Sequence, residues 1–221
     1  MKRAIVIMAK VPLPGAVKTR LEPFLSPESC AALATAFLVD TTEKARRVSE
    51  NVIIAFSPAS EKPALSKIIG DNSASFAQTG NNLGERIVSS FENAFASGAD
   101  SMVMIGTDSP TFPADYIEQA FEFLELETDV VLGKTTDGGF YLIGLRKAVP
   151  AIFTDVRWSS PKTFEDVYRN ASRLELHIRE VPSWYDVDEP HDLEKLMAET
   201  EHNENARRRA SHTAMWLDAN S

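Results

Sequence analysis

Val103-Met104-Ile105-Gly106-Thr107-Asp108-Ser109-Pro110 is the stretch on which the reading of this chain turns. The apolar run Met102 to Ile105 reads as a buried strand that delivers a carboxylate, Asp108, to the C-terminal edge of a sheet. Gly106 lets a ligand approach the backbone, and Pro110 ends the strand. In open α/β sheets ligands bind at that edge. Mg²⁺ in such sites is held by one or two carboxylates together with substrate phosphates, so Asp108 is a candidate metal ligand. The competing reading makes Asp108 the cap of a helix that begins near Pro113.

Outward from this strand the same rhythm recurs. Ala4 to Ala9 reads as a buried first strand, with Arg3 at its start, and Ser26-Pro27-Glu28 opens a helix that runs to about Val48. Asn51 to Phe56 is a second strand, followed by a weak helix near Lys62–Ile69 and a short strand over Ser75–Gln78. Asn82 to Ala96 carries Leu83, Ile87, Phe91 and Phe95 at helical spacing and stops at Gly98. A helix from Pro113 to about Glu125 and a strand Asp129–Leu132 follow the Asp108 strand. The alternation predicts an α/β fold, a mostly parallel sheet with helices on both faces. Gly138–Leu145 follows the previous strand too closely for a helical crossover and predicts a small antiparallel insertion. Ser160–Ala171 reads as helix, Leu176–Val181 as strand and Glu189–Thr200 as a final helix. No linker or repeat divides residues 1–200, which are expected to form one domain, with residues 201–221 a mobile polar tail bearing Arg207-Arg208-Arg209.

Composition narrows the function. The 221 residues carry 23 Lys and Arg against 32 Asp and Glu, a net charge of −9, which argues against a nucleic-acid partner held on a broad basic face. One cysteine, Cys30, excludes an intramolecular disulfide and a cysteine zinc cluster, and its Ala-rich surroundings read as core. No apolar run reaches the ~20 residues of a membrane span. A strand begins at Arg3 with no signal-peptide h-region before it, so a soluble cytoplasmic protein is expected. Nothing in the sequence sets an oligomeric state.

In so acidic a chain the cations that face an anionic ligand must be concentrated locally. Lys10-Val11-Pro12-Leu13-Pro14-Gly15-Ala16-Val17-Lys18-Thr19-Arg20-Leu21 follows the first strand and offers Lys10, Lys18 and Arg20 on a loop stiffened by two prolines, with Gly15 at its tip. Backbone amides and a Lys/Arg fork of this kind hold phosphate oxygens. It is neither a Walker A loop nor a dinucleotide fingerprint. Gln78 and Arg86 flank the next loop, Gln78-Thr79-Gly80-Asn81-Asn82-Leu83-Gly84-Glu85-Arg86, where a base or phosphate could be read, although Arg86 could equally pair with a surface carboxylate. Asp137-Gly138-Gly139 is either a plain hairpin turn or a place where amides of Gly138 and Gly139 meet a substrate while Asp137 accepts from a hydroxyl. Trp158 beside Ser159-Ser160 is either partial core or an acceptor wall. Asp186 and Asp188, two apart before the last helix, share one side of an extended segment, and Asp188 could instead cap that helix.

Together, Lys10-Val11-Pro12, Pro14 to Leu21, Leu83-Gly84-Glu85-Arg86, Gly106-Thr107-Asp108-Ser109-Pro110, Asp137 to Leu145 and Asp186-Val187-Asp188 resemble the rSAM/selenodomain-associated transferase family over roughly residues 3–197. The resemblance implies a three-layer α/β/α fold of the GT-A, Rossmann-like nucleotide-diphospho-sugar transferase type. It also places Asp108 where related enzymes carry the metal-binding D-x-D acid. Here Ser109-Pro110 follows in place of the second acid, so a partner is expected from Asp186 or Asp188. The chain is also similar, more distantly, to 2-phospholactate guanylyltransferases, while it lacks the G-x-G-x-R-M loop of molybdenum-cofactor guanylyltransferases.

The expected function is a glycosyltransferase-like enzyme. It would hold a nucleotide-activated sugar through Mg²⁺ or Mn²⁺ on Asp108 with Asp186 or Asp188, grip phosphate with Lys18 and Arg20, and orient an unknown acceptor with Asp137. The alternatives are a nucleotidyltransferase that joins an NTP to a phosphorylated acceptor, and a non-catalytic nucleotide-binding module.

Overall fold

Residues Arg3–Lys10 form β1, the strand around which the other elements are laid. Its side chains alternate between two cores: Ile5, Ile7 and Ala9 face one layer of helices, Ala4 and Val6 the other. A strand apolar on both sides needs cover on both sides, which is what a parallel α/β sheet provides. A computed structural model describes residues 1–220 of the chain. The remaining strands are β2 (Val52–Ser57), β3 (Ser75–Ala77), β4 (Ser101–Gly106), β5 (Val130–Thr135), β6 (Phe140–Leu145) and β7 (Ile178–Trp184). They lie in the order β3-β2-β1-β4-β6-β5-β7. Pairing is parallel throughout except for β6, which runs antiparallel to both of its neighbours, with Met104 opposite Ile143 on one side and Leu132 opposite Ile143 on the other.

One face of the sheet is covered by α1 (Pro27–Val48), α2 (Lys62–Ile69) and α4 (Asp115–Glu125), through Leu38, Ala45, Leu65, Ile117, Phe121 and their neighbours. The other is covered by α3 (Leu83–Ala96) and α5 (Thr163–Arg173), through Ile87, Phe91, Phe164 and Val167. Each large apolar side chain taken out of water here contributes about 1.5–3 kcal/mol. The helix starts follow their chemistry: Ser26 accepts from the Ser29 amide at 3.1 Å with Pro27 next, and Asn82 accepts from the Glu85 amide at 2.9 Å. The last core helix of the sequence reading is α6 (Pro190–His202), opened by a reciprocal capping box between Glu189 and Asp192.

Three expectations are corrected. The helix after Asp108 begins at Asp115, flanked by Ala114, so Asp108 does not cap it; likewise Glu189 rather than Asp188 flanks α6. The strand readings were short: β5 continues to Thr135 past a bulge near Gly133 and Lys134, and β7 to Trp184. Residues beyond 200 do not form a loose tail. Residues 204–220 wind into α7 (Glu204–Arg209) and α8 (Ser211–Asn220), which bury Ala206, Ala210, Thr213, Ala214 and Leu217. Asp40, buried on α1, accepts from the backbone amides of His212 and Thr213, both at 2.9 Å, and from the Thr213 hydroxyl at 2.7 Å. Leu217 joins Leu33, Phe37, Val187 and Leu196 in a third apolar cluster beneath α6. Ser221 lies outside the described residues.

The connections from β1 lead to β2 on one side, while β4 returns on the other. Strand order therefore reverses between β1 and β4, and such a switch point opens a crevice at the strands' C-terminal ends. The loop that carries Lys18 leaves β1 there, and Asp108 follows β4.

Candidate active site

At Gly15, whose φ is 72°, the β1 loop turns, with the Ala16 amide bonded to the Leu13 carbonyl at 3.0 Å. Lys18 then adopts a left-handed backbone, φ 51°, and one turn of 3₁₀ helix, Thr19–Leu21, drives Leu21 fully into the core. That insertion points the Lys18 side chain inward. Its ammonium donates to Asp108 Oδ1, to Asp188 Oδ1 at 3.0 Å and to the Val187 carbonyl at 2.8 Å. A lysine has three donors, and all three are engaged. The Lys18 side chain is 5 % exposed, whereas Asp108 and Asp188 are 47 % and 43 % exposed. Burial opposes the lysine's charge, but the Asp108 and Asp188 carboxylates outweigh it and raise its pKa above the ordinary lysine value.

The two acid-bearing segments are joined by their backbones, the Val187 amide donating to the Asp108 carbonyl at 2.8 Å. Asp186 does not share the Lys18 cation. Its Oδ1 accepts from the Ser109 hydroxyl instead, and burial, reinforced by Asp108, pushes its pKa up to about 7. Thr111, Tyr185 and Glu199 tie the same segments from below, with Thr111 Oγ1 donating to Glu199 at 2.8 Å, Tyr185 donating to the same carboxylate, and the Trp184 indole donating to Thr111 at 3.2 Å. Lys44, buried on α1, donates to the Pro110 carbonyl at 2.7 Å with its ammonium 3.8 Å from the centre of the Phe112 ring. Burial lowers its pKa to about 7.

Lys18, Asp108, Asp186 and Asp188 line one cleft of about 780 Å³, within the range of small-molecule sites. It brings together Lys10, Lys18, Arg20, Gln78, Arg86, Asp108, Asp137, Gly139, Trp158, Asp186 and Asp188. Gly15 and Gly138 lie off its lining. Gly138, φ 95°, instead meets the chain behind it: a Cβ there would overlap the Pro161 carbonyl, and its own carbonyl accepts from the Phe164 amide at 2.9 Å. Asp137 closes the hairpin turn, its Oδ1 accepting from the Thr135 hydroxyl and from the Gly139 amide at 3.0 Å, while Oδ2 has no protein partner among the described residues. The hairpin turn is present, and of its residues Asp137 and Gly139 line the cleft.

Charge is uneven around the cleft. Lys10, Lys18, Arg20 and Arg86 all stand on the β1 loop and the start of α3. Arg20 is 3.7 Å from Glu189, and Arg86 Nε donates to the Gly80 carbonyl at 3.1 Å, leaving the rest of its guanidinium toward the cleft. Gln78 Nε2 donates to the Ala9 and Ala55 carbonyls at 3.2 and 2.8 Å, so only its oxygen is free. The segment Gly139, Phe140, Trp158, Ser159, Ser160 and Thr163 adds no cation to the cleft among the described residues, and Trp158 meets the start of α3 at Gly84. Arg157, next to Trp158, is bound through two nitrogens to both oxygens of the buried Asp166, at 2.8 and 2.7 Å, and with Arg169 holds that carboxyl well below the usual range. Trp158 stacks against Phe153 and meets Phe140 edge-on, and Gly84 leaves it room, since a Cβ would come within 2.6 Å of the indole nitrogen.

Sequence reasoning saw the charge of Lys18 but not its direction, and it missed Ser109 and Lys44. Lys44 had a legible signal, since it sits on the stripe Cys30, Leu33, Phe37, Lys44 that α1 buries.

Among the described residues, no three His, Cys, Asp or Glu side chains are gathered as a metal-ligand group. The donor set nonetheless suits a hard cation. Two carboxylates and a carbonyl already converge on one positive centre, and Mg²⁺ sites commonly need no more protein oxygens when phosphates complete them.

A family model described as "Uncharacterized protein conserved in bacteria (DUF2064)" matches residues 39–160. The chain belongs to the DUF2064 family. The match spans β2 to β6 and includes Gln78, Arg86, Asp108, Asp137 and Trp158. Among solved structures, this DUF2064 chain is similar to a protein of Desulfovibrio desulfuricans G20 provisionally named a nucleotide-diphospho-sugar transferase. The two are 31 % identical with a TM-score of 0.92, over 100 % of this chain and 96 % of that one. The fold is also that of a CMP:2-keto-3-deoxy-manno-octonic acid synthetase complexed with CTP (16 % identity, TM-score 0.58, 90 % and 98 % covered). Rv0371c of Mycobacterium tuberculosis H37Rv, in complex with manganese, shares it as well (15 % identity, TM-score 0.55, 90 % and 99 % covered). No curated protein matches the sequence. No helix among the described residues is long and apolar enough to cross a membrane.

Proposed function

We propose that this cleft binds a nucleotide-activated sugar and transfers its glycosyl group to an acceptor hydroxyl. The observation that carries the reading is the uneven charge of the cleft: its cations come from the end of β1, the loop after it and the start of α3, while the aromatic and hydroxyl segment from Phe140 and Trp158 to Ser160 adds none. A donor diphosphate suits these cations, and a phosphorylated acceptor, which nucleotidyl transfer onto a phosphate requires, would find no cation of the Trp158–Ser160 segment to meet it. The similarity to the provisionally named Desulfovibrio protein supports the same class, and the narrower kinship with rSAM/selenodomain-associated transferases belongs to this proposal.

Asp108 and Asp188 would hold Mg²⁺ or Mn²⁺, which, when bound, neutralises charge developing on the leaving diphosphate. Arg20, Arg86 and Lys10 would hold phosphate oxygens. Trp158 offers a sugar or acceptor an apolar face, and Ser159 and Ser160 offer hydroxyls. Asp137, through Oδ2, would orient the acceptor hydroxyl and take its proton as that oxygen bonds to the anomeric carbon. The bond from that carbon to the diphosphate breaks, and a nucleoside diphosphate leaves with the electron pair.

Nucleotidyl transfer is the second reading, favoured by the shared fold of the CTP-bound synthetase. Thermal melting with NDP-sugars and NTPs, each with and without Mn²⁺, tests the choice. NDP-sugars should raise the melting temperature more than the matching NTPs. A preference for NTPs would overturn the glycosyl reading, and no shift with any nucleotide would overturn both transfer readings.

A further inference from the structure

The expectation that Lys18 grips phosphate meets a plain obstacle: its three donors are already occupied by Asp108, Asp188 and the Val187 carbonyl. We infer that Lys18 is the resident counter-ion of the Asp108–Asp188 pair, and that a divalent cation enters the site only by displacing it. This rests on the metal part of the function proposed above.

The case is geometric. Asp108 and Asp188 both present Oδ1 to one point-like cation, whose stem is buried while the carboxylates themselves remain open to the cleft. A divalent cation would take these oxygens at ~2.0–2.2 Å. An ammonium on the same two oxygens would then stand within a few ångströms of a double positive charge, in a partly desolvated site where such repulsion is poorly screened. The two occupants exclude each other. Without either, two carboxylates face each other with a third, Asp186, lining the same cleft. Lys18 therefore keeps the acid loops together before the metal arrives. Its release frees three donors next to the wall where the donor diphosphate is expected, so metal entry and phosphate grip become one event.

The test is Mn²⁺ titration of the full chain without nucleotide, with free Mn²⁺ read by electron paramagnetic resonance, for the wild type and Lys18→Met. The variant should bind Mn²⁺ at least about tenfold more tightly, an effect equal to about 1.4 kcal/mol of removed competition. It should also melt lower than wild type in metal-free buffer and recover on adding Mn²⁺. Equal or weaker Mn²⁺ affinity in the variant overturns the inference while leaving the metal reading standing. If neither protein binds Mn²⁺, with or without nucleotide, the metal reading itself falls and the inference with it. Should Lys18→Met not fold, amine labelling of the wild type read by mass spectrometry replaces it. Lys18 should resist labelling without metal and become labelled when Mn²⁺ is added; unchanged labelling overturns the inference.

Discussion

Asp108 and Lys44 act on the same short loop from opposite sides. Asp108 closes the cleft side with Lys18, and Lys44 fastens the core side at the Pro110 carbonyl. Because Asp108 is half exposed and caps no helix, Asp108→Ala should abolish Mn²⁺-dependent nucleotide binding in a calorimetric titration while shifting stability by no more than about 1–2 kcal/mol. Retained binding would remove Asp108 from the metal site. Lys44 makes a pH prediction. Its folded pKa of about 7 lies below the ordinary lysine value of 10.5, so between the two the unfolded chain holds a proton that the folded chain has released. Its contribution to stability is full above the unfolded value and is lost as pH falls through about 7. Wild type should therefore gain stability between about pH 7 and about pH 9 relative to Lys44→Met, measured by urea unfolding. Parallel pH profiles for the two proteins would contradict this. Both residues show what single positions reveal in a sequence. Asp108 was legible as a strand-end acid. Lys18 was legible only as a loop cation, because its partners lie 90 and 170 positions away and no local pattern encodes that meeting.

Strands and amphipathic helices were readable because burial imposes a period on them: β1 alternates between two cores, and α3 repeats Ile87, Phe91 and Ala94 along one face. The C-terminal helices were not, since α8 buries only Thr213, Ala214 and Leu217, too few to set a period, and is anchored by a buried acid from another helix. Asp40→Ala should leave the His212 and Thr213 amides unpaired and cost about 1–2 kcal/mol, lowering the melting temperature by a few degrees in calorimetry. An unchanged melting temperature would mean that α8 is not held there. The hairpin between β5 and β6 supports a second test. Gly138→Ala combines a positive φ with an overlap on the Pro161 carbonyl, so it should destabilise the fold by more than about 1 kcal/mol and displace Ser159 and Ser160 from the cleft wall. The check is a lower melting temperature together with weaker donor binding; loss of neither would return Gly138 to an ordinary turn position.

The sheet as a unit explains why residues from six separate loops meet. Strand order reverses between β1 and β4, the crevice opens at their C-terminal ends, and β6, inserted antiparallel, brings the Asp137 turn to the same edge. That topology was foreseeable from the alternation of strands and helices. The uneven charge of the cleft was not, because it depends on Arg157 being drawn away onto Asp166 and on Lys18 being turned onto the acids. On the function proposed above, that unevenness favours transfer of a sugar to a hydroxyl over transfer of a nucleotide to a phosphate. The most direct test is the ³¹P NMR spectrum of the protein with Mg²⁺, its preferred nucleotide and a panel of hydroxyl-bearing and phosphorylated acceptors. Release of a nucleoside diphosphate from an NDP-sugar, in the presence of a hydroxyl acceptor and without pyrophosphate, is the predicted result. Pyrophosphate released from an NTP in the presence of a phosphorylated acceptor would contradict it.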